Sequence, residues 1–444
     1  MSPIGTPASP TDTPAARAPA HHTFRSVAPV LALCWLAVFF DGMDVNVYGA
    51  VMPHMLDDPS LGLTPGAAGT IGSWTTFGML IGALATGTLT DWLGRRPVLV
   101  TSVLLFSAGS AVCALSGAPA LFGAGRFLAG LGLGGLMPLC LSMVMEFAPP
   151  RRAALATGLL MTSYHAGGMV ATGLGLTLAP AVGWRSVFWA GVLPAVVATP
   201  LLLRLLPESP GVLLAKGRTA EAEAVAYRYG MARPVPADAP PPGAKGRLAA
   251  VRALFRPGVR GATPLLWLAS FCGLLLVYGV STWLPQMMRA TGYGLTSSVS
   301  FLLIINAGGI AGMLIAGRTA DRFGPVTVSA LWFLLTAAGA LLLGAHPPLA
   351  LTYVVVALTG VWLFSAQTMV YAAADRVYPS TERATGLGWV TGIGRTGAVV
   401  GPWLGGTLAA DGNDQLGFTA FALAGLLGAV AIGLVAVTGR RGRS

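Results

Sequence analysis

Residues 87–97 read Gly87-Thr88-Leu89-Thr90-Asp91-Trp92-Leu93-Gly94-Arg95-Arg96-Pro97, and residues 317–325 read Gly317-Arg318-Thr319-Ala320-Asp321-Arg322-Phe323-Gly324-Pro325. Both fit Gly-x-x-x-Asp-x-x-Gly, and each follows the second apolar stretch of a set of six. The chain is therefore read as an internal duplication, two six-span halves in parallel register. The glycines allow close helix approach at a rim. Each aspartate can face the positive N-terminal end of a neighbouring helix or pair with a local arginine. A contact of that kind holds in one arrangement of the halves and breaks in another. Gly87, Asp91, Gly94, Arg95, Arg96, Gly317, Asp321 and Arg322 are accordingly read as gating residues.

Working outward, twelve apolar stretches can be placed, each near the length that crosses a bilayer as a helix. The first six cover roughly 27–52, 66–90, 97–116, 119–146, 153–180 and 184–206. The second six cover roughly 263–289, 296–319, 325–345, 347–375, 383–409 and 415–438. The composition agrees: 54% of the 444 residues are hydrophobic and 10% charged, where soluble domains carry about 25% charged residues. Mean hydropathy is +0.71. The expected fold is an all-α polytopic membrane protein of twelve transmembrane helices in two six-helix halves. Residues 1–26, rich in Pro, Ala, Ser and Thr, read as a disordered cytoplasmic tail rather than a cleaved signal peptide. The halves occupy 27–206 and 263–438, joined by a cytoplasmic loop at 207–262. That loop carries Pro234, Pro236, Pro240, Pro241 and Pro242, with short surface helices expected near 210–229 and 245–256. Residues 439–444 form a basic tail.

The net charge is +11. In a soluble protein that balance would suggest a nucleic-acid partner, but its distribution says otherwise. Of 27 Lys and Arg, only Arg126 and Arg395 lie deep within spans, and Arg185 and Arg289 mark outward ends. The rest gather in the tails, the central stretch and the connections on one side, a positive-inside asymmetry. It places both termini in the cytoplasm of a plasma-membrane protein and removes the support for a nucleic-acid partner. Cys34, Cys113, Cys140 and Cys272 fall in apolar stretches without a CxxC pair, so no disulfide framework or metal site is indicated. With no nucleotide-binding motif, metal-ligand cluster or nucleophile–base pair, no enzyme and no cofactor is expected. A monomer in the lipid bilayer, driven by a proton gradient, is the expected unit.

The first span contains Phe39-Phe40-Asp41-Gly42-Met43-Asp44-Val45-Asn46. An ionisable group at that depth costs several kcal/mol unless it meets a partner, water or a proton. Asp41 and Asp44 are three residues apart and share one helix face. At 1.5 Å rise per residue Asp41 lies about 18 Å from the inner boundary and Arg126 about 9 Å from the outer one. In a core about 30 Å thick the two are nearly level. Arg126 is thus the natural partner of Asp41 or Asp44. The arginine keeps its charge while a carboxylate can take a proton. Protonation would release Arg126 to hold a substrate carboxylate; the alternative is a purely structural clamp. Arg395 either binds that carboxylate directly or serves the cytoplasmic gate. Glu146, just before Pro149-Pro150-Arg151-Arg152, is expected to join a gate network with Arg151, and Asp375 with Arg376 to mirror it. His165 reads as a packed polar residue or a proton relay.

The two loop motifs resemble the signature of the major facilitator superfamily, as does Arg126-Phe127-Leu128-Ala129-Gly130-Leu131-Gly132-Leu133-Gly134-Gly135. Within it, Asp41-Gly42-Met43-Asp44 resembles the aromatic acid:proton symporters. So do Tyr278-Gly279-Val280-Ser281-Thr282-Trp283-Leu284-Pro285, the run Asn306 to Gly312, and the run Gly394 to Gly406. The resemblance implies import of an aromatic carboxylate, of the benzoate or hydroxybenzoate class, with protons by alternating access. The rivals are a transporter of another organic acid, a sugar or a drug, including proton antiport, and a non-transporting sensor. Gly401-Pro402 also resembles an antiporter signature, but antiporters carry it in the fifth helix, where this chain has Tyr164-His165-Ala166-Gly167-Gly168. An aromatic acid needs a cation for its carboxylate and stacking walls for its ring. Tyr48, Tyr278, Trp283, Trp362, Phe364, Tyr371 and Trp389 are the available walls. Gln367 and Asn306 either bond a ring hydroxyl or make interhelical bonds.

Overall fold

A computed structural model of the chain describes residues 23–234, 251–379, 382–410 and 414–441. Helices form where the apolar stretches predict them. The first half holds α1 (Phe24–Leu56), α2 (Pro65–Leu93), α3 (Arg95–Leu115), α4 (Pro119–Phe147), α5 (Ala153–Val182), α6 (Arg185–Ala190) and α7 (Leu193–Leu205). Two short helices follow, α8 (Pro210–Ala215) and α9 (Thr219–Arg228). The second half holds α10 (Ala262–Ala290), α11 (Leu295–Phe323), α12 (Pro325–Gly344), α13 (Leu349–Val377), α14 (Arg383–Ala410) and α15 (Asp414–Arg441).

Three boundaries differ from the sequence reading. Thr23 caps α1 by accepting from the Ser26 amide at 3.3 Å, so the helix starts before the apolar run does. The sixth span is two pieces. Pro194, in the first turn of α7, has no N–H to donate and its ring would crowd the Ala190 carbonyl, so α6 stops there. α15 runs to Arg441, into the expected tail. Residues 1–22, the central stretch 235–250 with Pro236 and Pro240 to Pro242, and 442–444 lie outside the described residues.

The duplication reappears in the packing. α1 packs on α5 as α10 packs on α14, α2 on α4 as α11 on α13, and α3 on α4 as α12 on α13. The cause is matched glycines: a Cβ on Gly130 would lie 2.1 Å from Thr75 O, and one on Gly360 would lie 2.2 Å from Ile305 O. The motif glycines also match, Gly94 at φ 105° and Gly324 at φ 82°, each turning the chain sharply into the next helix. Between the halves, α2 meets α14, α5 meets α11 and α1 meets α10.

Large apolar side chains such as Leu84, Leu115, Val196 and Leu423 are more than half exposed, as in a multi-pass protein whose surroundings there are hydrocarbon. Nine described helices, counting α6 and α7 as one, are long and apolar enough to cross a membrane by length and composition. The three that fall short, α2, α5 and α14, all belong to the seam between the halves.

The seam is closed on the face away from the termini. There Arg289 pairs with Asp57 at 2.7 Å, and a Cβ on Gly69 would lie 2.7 Å from Gly406 Cα. On the face that carries the termini, Gly87 and Gly317 are exposed and an added Cβ would meet nothing within 4 Å. Among the described residues no hydrogen bond or ion pair joins the two rims. The described contacts thus tie the halves together on the face away from the termini and not at these rims.

The turn after α1 carries a further tie. Asp58 accepts from Ser60 N at 2.9 Å, Trp184 Nε1 at 2.8 Å and Arg185 Nη1 at 3.1 Å. The Ser60 bonds above all, with those from Trp184 and Arg185, hold its carboxyl well below the usual carboxylate range. The folded-state value lies below the unfolded one near 4. This contribution is therefore complete at neutral pH and is lost as pH falls below about 4. Asp58→Asn is expected to lower the melting temperature in detergent at pH 7 and to flatten its acid limb. An unchanged acid limb would show that other carboxylates set it.

Candidate functional site

The Asp41–Asn46 turn lies near the middle of α1, which packs tightly there on α5: a Cβ on Gly42 would lie 2.0 Å from Tyr164 O. That contact turns the two aspartates toward the centre of the bundle. Both oxygens of Asp44 are used. Ser110 Oγ donates to Oδ1 at 2.7 Å and Arg126 Nη1 donates to Oδ2 at 2.9 Å. Arg126 also donates Nε to Thr75 Oγ1 at 3.2 Å and Nη2 to the Asp44 carbonyl at 3.4 Å. Its guanidinium carbon lies 5.6 Å from the Tyr48 ring centroid. The side chains of Arg126 and Asp44 are 2% and 1% exposed. A buried ion pair of this kind is tolerable because hydrogen bonds satisfy the rest of both groups.

Asp41 is different. It is 2% exposed, and Oδ1 has no hydrogen-bond partner among the described residues. The charges within its electrostatic reach are Asp44 on its own helix and Arg395 on α14. Arg395 reaches across the seam to donate Nη2 to the Gly134 carbonyl at 3.3 Å, and makes no ion pair among the described residues. Tyr278 lies within electrostatic reach of Asp41, Arg395 and Tyr371. A small cavity lies beside Arg126, lined also by Tyr48, Thr75, Thr76, Tyr278 and Thr282. Arg126 is thus committed to Asp44, while Arg395 has its charge to offer.

The remaining predicted residues divide. Tyr48 lines the cavity with its hydroxyl donated to Ala68 O at 2.7 Å. Trp283 does not: it is fully buried, donates Nε1 to Pro402 O at 2.8 Å, and fills the notch at Gly405. Gly405 leaves the hollow that this ring occupies. Gln367 donates to Ser270 Oγ at 3.1 Å, and its Oε1 is buried without a partner among the described residues. Asn306 makes interhelical bonds, to Asn46 Oδ1 at 3.1 Å and with His165 Nδ1 at 3.1 Å. Phe364 meets the His165 ring edge-on at 4.5 Å, and Trp389 stacks on Trp267 at 5.4 Å. Trp362 and Tyr371 are partly exposed.

At the rim the partners differ from those expected. Glu146 pairs with Arg95, not Arg151, and accepts from Ser209 Oγ at 2.6 Å and Gly211 N at 2.7 Å. Arg151 is exposed. The loop after α7 brings Glu208 under Gly94, where it accepts from the Arg95 amide at 2.9 Å and caps α3. Asp375 pairs with Arg383 at 3.4 Å rather than mirroring Glu146. Asp91, Asp321 and Arg322 are exposed and make no ion pair among the described residues. The sequence reading missed Thr75, Ser110, Asn46 and Glu208. Only Asn46 stood in a quoted motif, and it carried no signal for its bond.

The model of the family described as Major Facilitator Superfamily matches residues 34–331 and 303–444. The chain belongs to the Major Facilitator Superfamily. It is 34% identical over 415 residues to the gentisate transporter of Corynebacterium glutamicum, covering 93% of this chain and 88% of that one. It is 33% identical over 421 residues to the benzoate transport protein of Acinetobacter baylyi, with 91% and 89% covered. It is 34% identical over 414 residues to the 4-hydroxybenzoate transporter PcaK of Pseudomonas aeruginosa, with 91% of each covered. Among solved structures, the partially occluded inward open xylose transporter XylE from Escherichia coli superposes with a TM-score of 0.73 at 17% identity. That match covers 91% of this chain and 97% of XylE, and at such identity it shows the superfamily's fold alone. The chain is a transporter of this superfamily and not an enzyme.

Proposed function

We propose that the chain imports an aromatic carboxylate, of the benzoate or hydroxybenzoate class, together with protons across the plasma membrane. Both termini face the cytoplasm, and the monomer is the working unit. The observation that carries the reading is the mid-depth set of two aspartates and two arginines in which Arg395 has no carboxylate partner among the described residues. Similarity to transporters named for gentisate, benzoate and 4-hydroxybenzoate supplies the substrate class.

The charges give the coupling. With Asp41 and Asp44 ionised, Arg126 and Arg395 balance them. A substrate carboxylate adds one negative charge to a site that must be occluded from water. One proton on an aspartate restores neutrality, and a neutral occluded site avoids the cost of a net buried charge. Arg395 holds the carboxylate and Tyr278 and Tyr371 flank the ring. Asp41, with no ion pair among the described residues, takes the proton. The face whose rims are not bonded to each other then lies toward the cytoplasm and releases the cargo, with the Asp57–Arg289 contact closing the outside. The xylose-transporter fold carries no weight for a sugar at 17% identity.

The test is uptake of labelled benzoate, 4-hydroxybenzoate, gentisate and xylose into proteoliposomes, with and without an imposed inward proton gradient. Gradient-driven accumulation of at least one aromatic acid and none of xylose is expected. Accumulation of no aromatic acid would sink the substrate class, and accumulation indifferent to the gradient would sink the coupling.

A further inference from the structure

Three buried polar side chains outside this charge set form one chain of bonds across the seam. His165 on α5 and Asn46 on α1 belong to the first half, and Asn306 on α11 to the second. They are 2%, 1% and 0% exposed. Both hydrogens of Asn306 Nδ2 are committed, to Leu302 O at 2.8 Å and Asn46 Oδ1 at 3.1 Å. Asn306 Oδ1 is therefore an acceptor, and His165 donates Nδ1–H to it at 3.1 Å. Asn46 in turn donates Nδ2 to the Gly42 carbonyl at 2.8 Å. Gly42 lies between Asp41 and Asp44, so the chain ends on the turn that carries both aspartates.

The fit leaves no slack. A Cβ on Gly168 would lie 2.7 Å from Asn306 Oδ1 and 2.8 Å from Asn46 Nδ2. One on Gly309 would lie 2.6 Å from His165 Cε1. Phe364 meets the imidazole edge-on at the same corner. Parting the halves along this line would strand several buried polar groups, each at a substantial desolvation cost.

We propose that Asn46, Asn306 and His165 are positioning residues that transmit the state of the Asp41–Asp44 turn to the second half. The bridge acts as a hydrogen-bonded pivot: it keeps α11 registered on α1 and α5, so proton occupancy of the turn and the tilt of the halves change together. The imidazole serves as an N–H donor and carries no transported proton. This inference rests on the proton-coupled reading above.

The test uses the full chain in proteoliposomes and labelled 4-hydroxybenzoate, comparing gradient-driven accumulation with exchange in the absence of a gradient. His165→Leu removes the donor, and Gly168→Ala displaces the bridge without deleting a polar group. Both are expected to keep exchange within about twofold and to lower the accumulation ratio about fivefold or more. His165→Gln keeps an N–H donor without a titrating ring, and is expected to accumulate as the unsubstituted protein does. Normal accumulation by His165→Leu and Gly168→Ala would overturn the pivot. Loss of accumulation in His165→Gln, equal to that in His165→Leu, would overturn it in favour of a titrating imidazole. An unsubstituted protein that exchanges but never accumulates would overturn the proton-coupled reading itself, and this inference with it. That failure is visible before any substitution is made.

Discussion

Arg126→Ala is expected to cut uptake by about a hundredfold or more, because removing one member of a buried, hydrogen-bonded ion pair costs roughly 3–5 kcal/mol. The loss has three parts. Asp44 keeps its bond from Ser110 but loses its cation. Thr75 Oγ1 loses its donor, and the cavity beside Tyr48 loses its positive wall. Arg126→Lys is expected to fail nearly as badly. The guanidinium uses three different nitrogens on three different acceptors, and a point charge on a flexible stem does not reproduce that fork. A double substitution separates clamp from machinery. Arg126→Leu with Asp44→Leu removes both charges, so the protein level in the membrane should recover while uptake stays lost. Near-normal uptake by the double variant, measured with labelled 4-hydroxybenzoate, would reduce the pair to a structural clamp.

What the sequence made legible follows from which physical signals are one-dimensional. Span length, charge asymmetry and the duplicated Gly-x-x-x-Asp-x-x-Gly are properties of the string, and they yield twelve spans in two halves. Depth is nearly one-dimensional too, since the helical rise converts residue number to height. Depth therefore brought Arg126 level with the aspartates. Azimuth is not in the string. Whether Arg126 meets Asp41 or Asp44 depends on how α1 rotates against α5, set by the Gly42–Tyr164 contact. The same holds for Thr75 and Ser110, hydroxyls indistinguishable in sequence from the many that back-bond within their own helices, such as Thr90 to Thr86. Trp283 lies away from the cavity for a related reason. Its place is decided by a hollow at Gly405 on a helix more than a hundred residues away. Glu146 found Arg95 rather than Arg151 because the loop after α7 folds back to complete that cluster, bringing Ser209 and Gly211 with it.

Asp41→Asn is expected to separate transport from its driving force. The amide is close in shape to a protonated carboxyl, and Asp41 has no ion pair to break among the described residues. The variant should therefore fold and should exchange labelled 4-hydroxybenzoate across the membrane. It has no site for the proton, however. A gradient of one pH unit is worth about 1.4 kcal/mol per proton, enough for roughly tenfold accumulation, and in Asp41→Asn that accumulation is expected to fall to unity. Asp44→Asn should behave otherwise. It leaves Arg126 buried without its anion, so exchange and protein level fall together. The contrast assigns the labour between two aspartates that the sequence presents as equals: the one with both oxygens satisfied holds the arginine, and the one with an oxygen left open carries the proton. Full gradient-driven accumulation by Asp41→Asn, with accumulation lost and exchange kept in Asp44→Asn, would reverse that assignment.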